Sequence, residues 1–402
     1  MFSRMHRDGC KSFQMPEIWV ETCAREGART CLALTASGVC RSIRAGSCRA
    51  QFIVPPHHSN GENLMKRKIF AVCTLTVLMP LLSFAQSKEP LKQVATIPLP
   101  GLKDGDFDHF TPDLDGHRLF LTDEENNKVD ILDTNANKRL HTIEEAKAPH
   151  AILYRKDLKK LFVVEGDASE VKIYDSDTFK PLSAVKVSID ADSIAYDPAT
   201  SYLYVVNGGR EAKAPYSLIS VTDTNSEKKL RDIKIPNNHV EAITLEKSGP
   251  RMFINITGKS AVGVMDRNKS ELSATWPLPA GDKANVAMAF DEPNHRLFIV
   301  TREPGKLIVM NSDDGKVIAE LPAVGLVDDA VYDAQHKRIY LAGDGSLDVF
   351  QQKDADHYEL LAKISTAFRA KTGVLVPEWN RYYLGVPHHA GKDAEVRVYE
   401  VQ

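Results

Sequence analysis

Beyond residue 100 the chain alternates short apolar runs with polar, turn-rich bridges. In "LDGHRLFLTDEENNKVDILDTNANKRLHTI" (Leu114 to Ile143) the runs "RLFLT", "KVDILDT" and "KRLHTI" are held apart by "DEENN" and "DTNAN". Runs of this length, rich in β-branched and aromatic residues and bounded by Gly, Asn, Asp and Pro, predict strands rather than helices. The pattern recurs as "HRLFLTDEENNKVDILDT", "KKLFVVEGDASEVKIYDS", "SYLYVVNGGREAKAPYSLISVTDT", "PRMFINITGKSAVGVMDR", "HRLFIVTREPGKLIVMNS", "KRIYLAGDGSLDVFQQ" and "NRYYLGVPHHAGKDAEVRVYE". Leu119, Leu161, Leu203, Met252, Leu297, Ile339 and Tyr382 anchor the copies, at steps of 42, 42, 49, 45, 42 and 43 residues. The long step has a local cause, the bridge "NGGREAKAP" (Asn207 to Pro215).

A period in the low forties with several strands per unit is the signature of a β-propeller blade, because solenoids of similar period are helical. Each unit reads as four strands, in the second "HAILY", "KLFVV", "EVKIYD" and "LSAVKV". Seven anchors require seven outer strands, yet the chain stops at Gln402 just after the third strand of the last unit, "EVRVYEV". The run "QVATIPL" (Gln93 to Leu99) matches the outer strands elsewhere and is expected to complete the last blade and close the ring, leaving no open sheet edge. Pro98 is tolerable there, since an outermost strand faces solvent on one side. The expected fold is all-β: one seven-bladed propeller of four-stranded blades over residues 86–402.

Composition is that of an ordinary globular protein, with 43% hydrophobic and 26% charged residues. All six cysteines fall within the first 73 residues. "MKRKIFAVCTLTVLMPLLSFAQS" from Met65 has three basic residues, an apolar run from Ile69 to Phe84 and small residues at Ser83 and Ala85, the pattern of a signal peptide over 65–85 cut before Gln86. The run is short of the ~20 residues that span a bilayer, and Pro80 interrupts it. Residues 1–64 have no sustained periodicity and no zinc-ligand spacing, and are expected to be an unstructured extension upstream of the true start at Met65. With the eleven Lys/Arg and five Asp/Glu of residues 1–85 set aside, forty basic and forty-nine acidic residues remain, a net charge of −9. That balance argues against nucleic acid and anionic membranes as partners. A periplasmic or secreted monomer, held by burial and hydrogen bonding without disulfides, is the expectation.

"LYVVNGG" (Leu203 to Gly209) and "KVDILDTNANKRLHTI" (Lys128 to Ile143) resemble the YVTN-repeat, YncE-like β-propeller family over the whole of residues 86–402. The resemblance implies seven blades and, commonly, export. Only Asn207 keeps the motif's asparagine, the other units carrying Asp123, Glu165, Ile256, Thr301, Gly343 and Val386, and no WD dipeptide occurs.

In a propeller the first strand of each blade lines the central channel, and its opening shares one face with the bridge between the second and third strands. Aligned on the anchors, the openings bring Asp108, His150, Asp192, Glu241, Val286 beside Asn285, Asp329 beside Asp328, and Thr372 beside Lys371 to one mouth, with Asp106, Asp190 and His239 two positions earlier. Asp108, His150, Asp192, Glu241 and Asp329 form the candidate metal set. Oxygen ligands suit Ca²⁺, Mg²⁺ or Mn²⁺, and an imidazole adds Zn²⁺. Polar residues also line a wet mouth with no ion present, so both readings stay open. The bridges contribute Asn207, Arg210, Arg302 and the pair His388 and His389 as candidate ligand contacts, the arginines suited to a carboxylate or phosphate.

No G-x-S-x-G, H-E-x-x-H, Walker loop or cysteine nucleophile occurs beyond residue 85. The leading expectation is therefore a non-catalytic binding module whose mouth takes a protein, a small molecule or a metal. Two alternatives stand beside it: a metal-dependent, lactonase-like hydrolase with its site at the mouth, and a structural scaffold in an envelope complex.

Overall fold

The structure is a computed structural model that describes residues 89–402. The expected upstream extension (1–64) and signal peptide (65–85) lie outside the described residues. Among the described residues no helix is long and apolar enough to cross a membrane.

Twenty-eight strands form seven four-stranded antiparallel sheets, the seven blades of a β-propeller. Six blades are consecutive in sequence. The seventh joins β26 (Thr372–Val376), β27 (Arg381–Val386) and β28 (Ala394–Val401) to β1 (Leu91–Leu99) from the other end of the described chain. β1 runs antiparallel to β28, from Leu91 opposite Val401 to Leu99 opposite Ala394, so "QVATIPL" closes the ring as expected and Pro98 sits on the outer strand.

The second strand of each blade reads as an unbroken apolar run because both of its faces are buried. In β3 (Arg118–Asp123), Leu119 and Leu121 pack toward Ile97, Leu99, Tyr383 and Val396 of the seventh blade, while Phe120, one residue between them, packs toward Leu161 and Val163 of the second. Alternate side chains of a strand point to opposite faces. Each blade is therefore one layer of two cores, and the apolar interior is a ring of inter-blade layers.

On the face away from the mouth, an arginine that precedes the anchor ties several of the blades to the next. Arg118 donates to Ser176 O at 2.7 Å, Arg296 to Ala355 O at 2.8 Å and Arg338 to Gln402 O at 2.9 Å. The arginine of the "HRLF" and "KRIY" signatures is thus a link between turns. The outermost ladder of every blade also shifts register, at Leu140, Leu182, Leu230, Ser273, Ile318, Leu361 and, on the closing strand, Val94. A bulge there adds twist and turns the exposed edge away from flat pairing.

Inside the first blade, Asp123 and Asp130 of β4 (Lys128–Asp133) are fully buried. Asp123 Oδ1 accepts from Asn126 at 2.9 Å and Asp130 Oδ1 from Thr142 at 2.7 Å, while the Oδ2 atoms of both have no partner. Burial, opposed by Asn126 and reinforced by the Asp130 charge, pushes the Asp123 carboxyl up to about 7.

Two outcomes are expected. Ile97, fully buried on the closing strand, loses its contacts in Ile97→Ala, which should cost about 2–5 kcal/mol in urea unfolding; a loss within 0.5 kcal/mol of zero would mean the closing strand adds little. For Asp123 the folded-state pKa lies above the unfolded one, so the native state alone keeps the proton between about pH 4 and 7. Its contribution to stability accordingly falls as pH rises through that window and is flat above it. Asp123→Asn stays neutral and should gain stability relative to the parent protein at pH 8 but not at pH 4; an equal difference at both values would contradict the assignment.

Candidate functional site

The mouth is built from strand openings whose backbones are already tied to the neighbouring strand. Asp108 N donates to Thr122 O at 3.0 Å, Asp192 N to Val206 O at 2.9 Å and Glu241 N to Asn255 O at 3.0 Å. Blades also tie to each other at this level: Thr122 Oγ1 donates to His150 O at 2.6 Å, and Thr372 Oγ1 to Phe107 O at 2.9 Å. The side chains that emerge are therefore held on a rigid rim.

They surround a cavity of about 380 Å³. Asp108, His109, Glu124, His150, Asp192 and Glu241, from the first four blades, line one arc; Arg302, Asp328, Asp329 and Lys371, from the last three, line the other. Two positions further along the same strands, Phe110, Ile152, Ile194, Ile243 and Met288 line the cavity below the charged ring. Period 2 explains this: i and i+2 share a face, roughly 7 Å apart along a strand. The result is a charged rim over an apolar floor.

Asp108 is the pivot. Its Oδ2 is 2.7 Å from His150 Nδ1 and its Oδ1 3.4 Å from His109 Nε2. His109 Nδ1 lies 3.0 Å from Asp329 Oδ1, and Asp329 Oδ2 accepts from Gly373 N at 2.8 Å. A Cβ at Gly373 would meet the Tyr382 hydroxyl at 2.2 Å, so this approach of backbone to Asp329 needs glycine. His150 Nδ1 is also 3.7 Å from Asp192 Oδ1, and His150 Nε2 is 3.9 Å from Glu124 Oε1.

The electrostatics follow from this wiring. Burial opposes charge on Asp108, but the imidazoles of His109 and His150 outweigh it and hold the carboxyl well below its usual range. Burial likewise opposes charge on His109, which Asp108 and Asp329 overcome, raising it to about 10. His150 rises to about 10 for the same reason, through Asp108 and Asp192. Asp192 has only a distant share of His150 and feels Asp108 and Glu241, so burial carries it up to about 7. Burial also raises Glu124, and lowers the Arg302 guanidinium.

Of the expected metal set, Asp108, His150 and Asp192 converge: among the described residues they form a trio whose ligand atoms all lie within 4.8 Å of one another. His150 Nδ1 is hydrogen-bonded to Asp108 at 2.7 Å and lies 3.7 Å from Asp192, so an ion there would have to displace the Nδ1 proton and widen the first separation toward the roughly 3.3 Å edge of a tetrahedron with ~2.0–2.1 Å bonds. Glu241 lines the same cavity but bonds His239 Nε2 at 2.8 Å, and Asp329 is committed to His109 and Gly373. Arg302 reaches the cavity, where it pairs with Asp328.

The remaining candidates lie elsewhere. Asn207 and Arg210 line a smaller pocket of about 130 Å³ beside Asp190 and His239, and Asn207 is already bonded to Val205 O, Ser220 Oγ and Ser188 N. Asn285 is buried in the wall, its amide directed at Asn255 Oδ1 and Ala261 O, because it faces the neighbouring blade instead of the channel. His388 bonds Asp104 at 2.6 Å and His389 stacks on Phe368 at 4.1 Å, in a separate rim pocket. His109 is the residue that sequence reasoning missed. Strict alternation turns it away from the channel beside Asp108, but at the opening, before β2 (Phe110–Asp113) begins, both side chains reach the rim.

No family model matches the chain, and no curated protein matches it. Solved structures do. A hydrazine synthase chain of Kuenenia stuttgartiensis aligns at TM-score 0.63 and 15% identity, over 76% of this chain and 99% of that one. The WD40 repeats of RRP9 align at 0.63 and 11%, over 78% and 98%, and a chain of the mitotic checkpoint complex at 0.62 and 13%, over 84% and 99%. At such identities the likeness is one of fold, and the fold is a seven-bladed, WD40-like β-propeller.

Proposed function

We propose that the chain is an exported, YVTN-type propeller that acts as a binding module and holds a divalent cation at its channel mouth on Asp108, His150 and Asp192. The observation that carries this is the convergence of one imidazole and two carboxylates from three successive blades. Two oxygen donors and one nitrogen suit Zn²⁺ or Mn²⁺ ahead of Ca²⁺ or Mg²⁺, which prefer oxygen alone. A divalent ion also relieves the crowding of Asp108, Asp192, Glu124 and Glu241 in one cavity. Export is supported by the signal-peptide pattern at 65–85 and by the absence of cysteine after it.

One observation favours a second, hydrolytic reading. The trio and Glu124 line the same cavity, so an ion on the three ligands would keep a position for water, as catalytic sites with three protein ligands do, and Glu124, its carboxyl raised by burial, would stand beside it as a base. An ester or lactone would then lose its acyl C–O bond to water, giving an acid and an alcohol.

The test is metal uptake by chelator-stripped protein, read by elemental analysis after desalting and by titration calorimetry with ZnCl₂ and MnCl₂. One equivalent is expected, with affinity falling at least tenfold in Asp108→Asn, His150→Gln or Asp192→Asn and unchanged in the exposed control Asp115→Asn. No stoichiometric uptake, or full uptake by the triple variant, would overturn the site; chelator-sensitive hydrolysis of a lactone would add the second reading to the first.

A further inference from the structure

The two arcs of the rim differ in charge. Across from the metal trio, Arg302, Lys371 and Arg369 share only two carboxylates: Asp328 pairs with Arg302 and Lys371, and Asp106 with Lys371 and Arg369. Asp329 of the same arc is taken up by His109, so this side of the cavity is close to neutral while the side of the trio is acidic. Arg302 is also incompletely satisfied. Its Nε donates to Val327 O at 3.2 Å and its Nη2 to Asp328, while its Nη1 has no protein partner among the described residues and Arg302 lines the cavity. A half-buried guanidinium that presents a spare donor to a cavity is suited to receive a carboxylate. Beneath both arcs the floor of Ile152, Ile194, Ile243 and Met288 offers apolar surface and no hydrogen bond from a side chain.

We infer that the cup takes a small 2-substituted carboxylic acid with a short aliphatic side chain, its carboxylate on Arg302, its 2-hydroxyl or 2-amino group toward the cation held by Asp108, His150 and Asp192, and its side chain on the apolar floor. The metal half of this rests on the reading above, while the carboxylate half stands on the Arg302 arc alone. The three parts match the three surfaces in chemistry. A cavity of about 380 Å³ lies in the range of small-molecule sites and holds such an acid with water to spare.

Calorimetry on zinc-loaded protein tests it, with 2-hydroxy-4-methylpentanoate and leucine as the two probes and glycolate as the probe without a side chain. One of the two larger acids should bind, and which one does tells hydroxy from amino acid. Its affinity should drop about tenfold or more in Arg302→Gln, recover in part in Arg302→Lys, and exceed that of glycolate at least tenfold. Zinc affinity should stay as in the parent protein in both Arg302 variants, and Arg302→Lys, which keeps a counter-charge on Asp328, should also keep the thermal midpoint, which separates a binding role from misfolding. Failure of both probes on protein that does bind zinc overturns the inference and leaves the metal site standing, as does binding indifferent to Arg302 or equal for glycolate. If zinc does not bind, the metal reading falls. Arg302-dependent binding by the metal-free protein would then still uphold the carboxylate site, and its absence would overturn that as well.

Discussion

A blade of this protein has no core of its own. Leu119 and Leu121 belong to the layer shared with the seventh blade and Phe120 to the layer shared with the second, so each sheet is buried only when a neighbour covers each face. Such a ring has no natural end, and an open one would leave two apolar sheet faces in water at a cost of roughly 25 cal/mol per Å² exposed. The pairing of β1 with β28 makes the last interface identical in kind to the other six, with Ile97 and Leu99 completing the layer over Leu119 and Leu121. Closure fixes the positions of seven strand openings around one axis. The rim inherits its rigidity from that closure and from the Arg118, Arg296 and Arg338 links on the far face.

The chemistry of the mouth follows from the same period-2 geometry that builds the layers. Channel-facing positions come in pairs two residues apart, and here the upper member is charged while the lower is apolar: Asp108 over Phe110, His150 over Ile152, Asp192 over Ile194, Glu241 over Ile243. The apolar tier keeps the ionisable tier poorly hydrated, which strengthens every pairwise interaction in it. That is why Asp108, with two imidazoles, stays ionised while Asp192, at nearly the same height but with a weaker share of His150, is pushed toward neutrality. Removing a partner from such a network exposes a desolvated charge, so the rim tolerates exchange of one counter-charge for another far better than deletion.

The fold was legible because it repeats. Seven anchors at near-constant spacing outvote any single ambiguous run, and the shortage of one outer strand points to Gln93–Leu99 from the sequence alone. The lining of the mouth was legible only to the depth of one strand. Aligning the openings found Asp108, His150 and Asp192, but it could not tell that Asn285 turns into the wall or that Asp329 is taken up by His109 and Gly373. Those outcomes depend on which blade lies next door, and on departures from alternation where strands have not yet begun. Asn207 shows the limit from the other side: it carries the residue that resembles a family motif, and its amide is spent holding Ser220 and the Ser188 backbone in place.

The stretch "DEENN" gathers these constraints into five residues. Asp123 turns inward beside Asp130 and gives up its ordinary acidity, Glu124 turns to the cavity, Glu125 accepts from Asp106 N at 3.2 Å, Asn126 donates to Asp123 at 2.9 Å, and Asn127 takes the left-handed backbone that reverses the chain. Four of the five serve the blade or its closure and one faces the mouth. An acidic bridge in a propeller sequence is thus mostly architecture. The convergence of Asp108, His150 and Asp192 at the mouth, by contrast, comes from three blades that no local stretch contains.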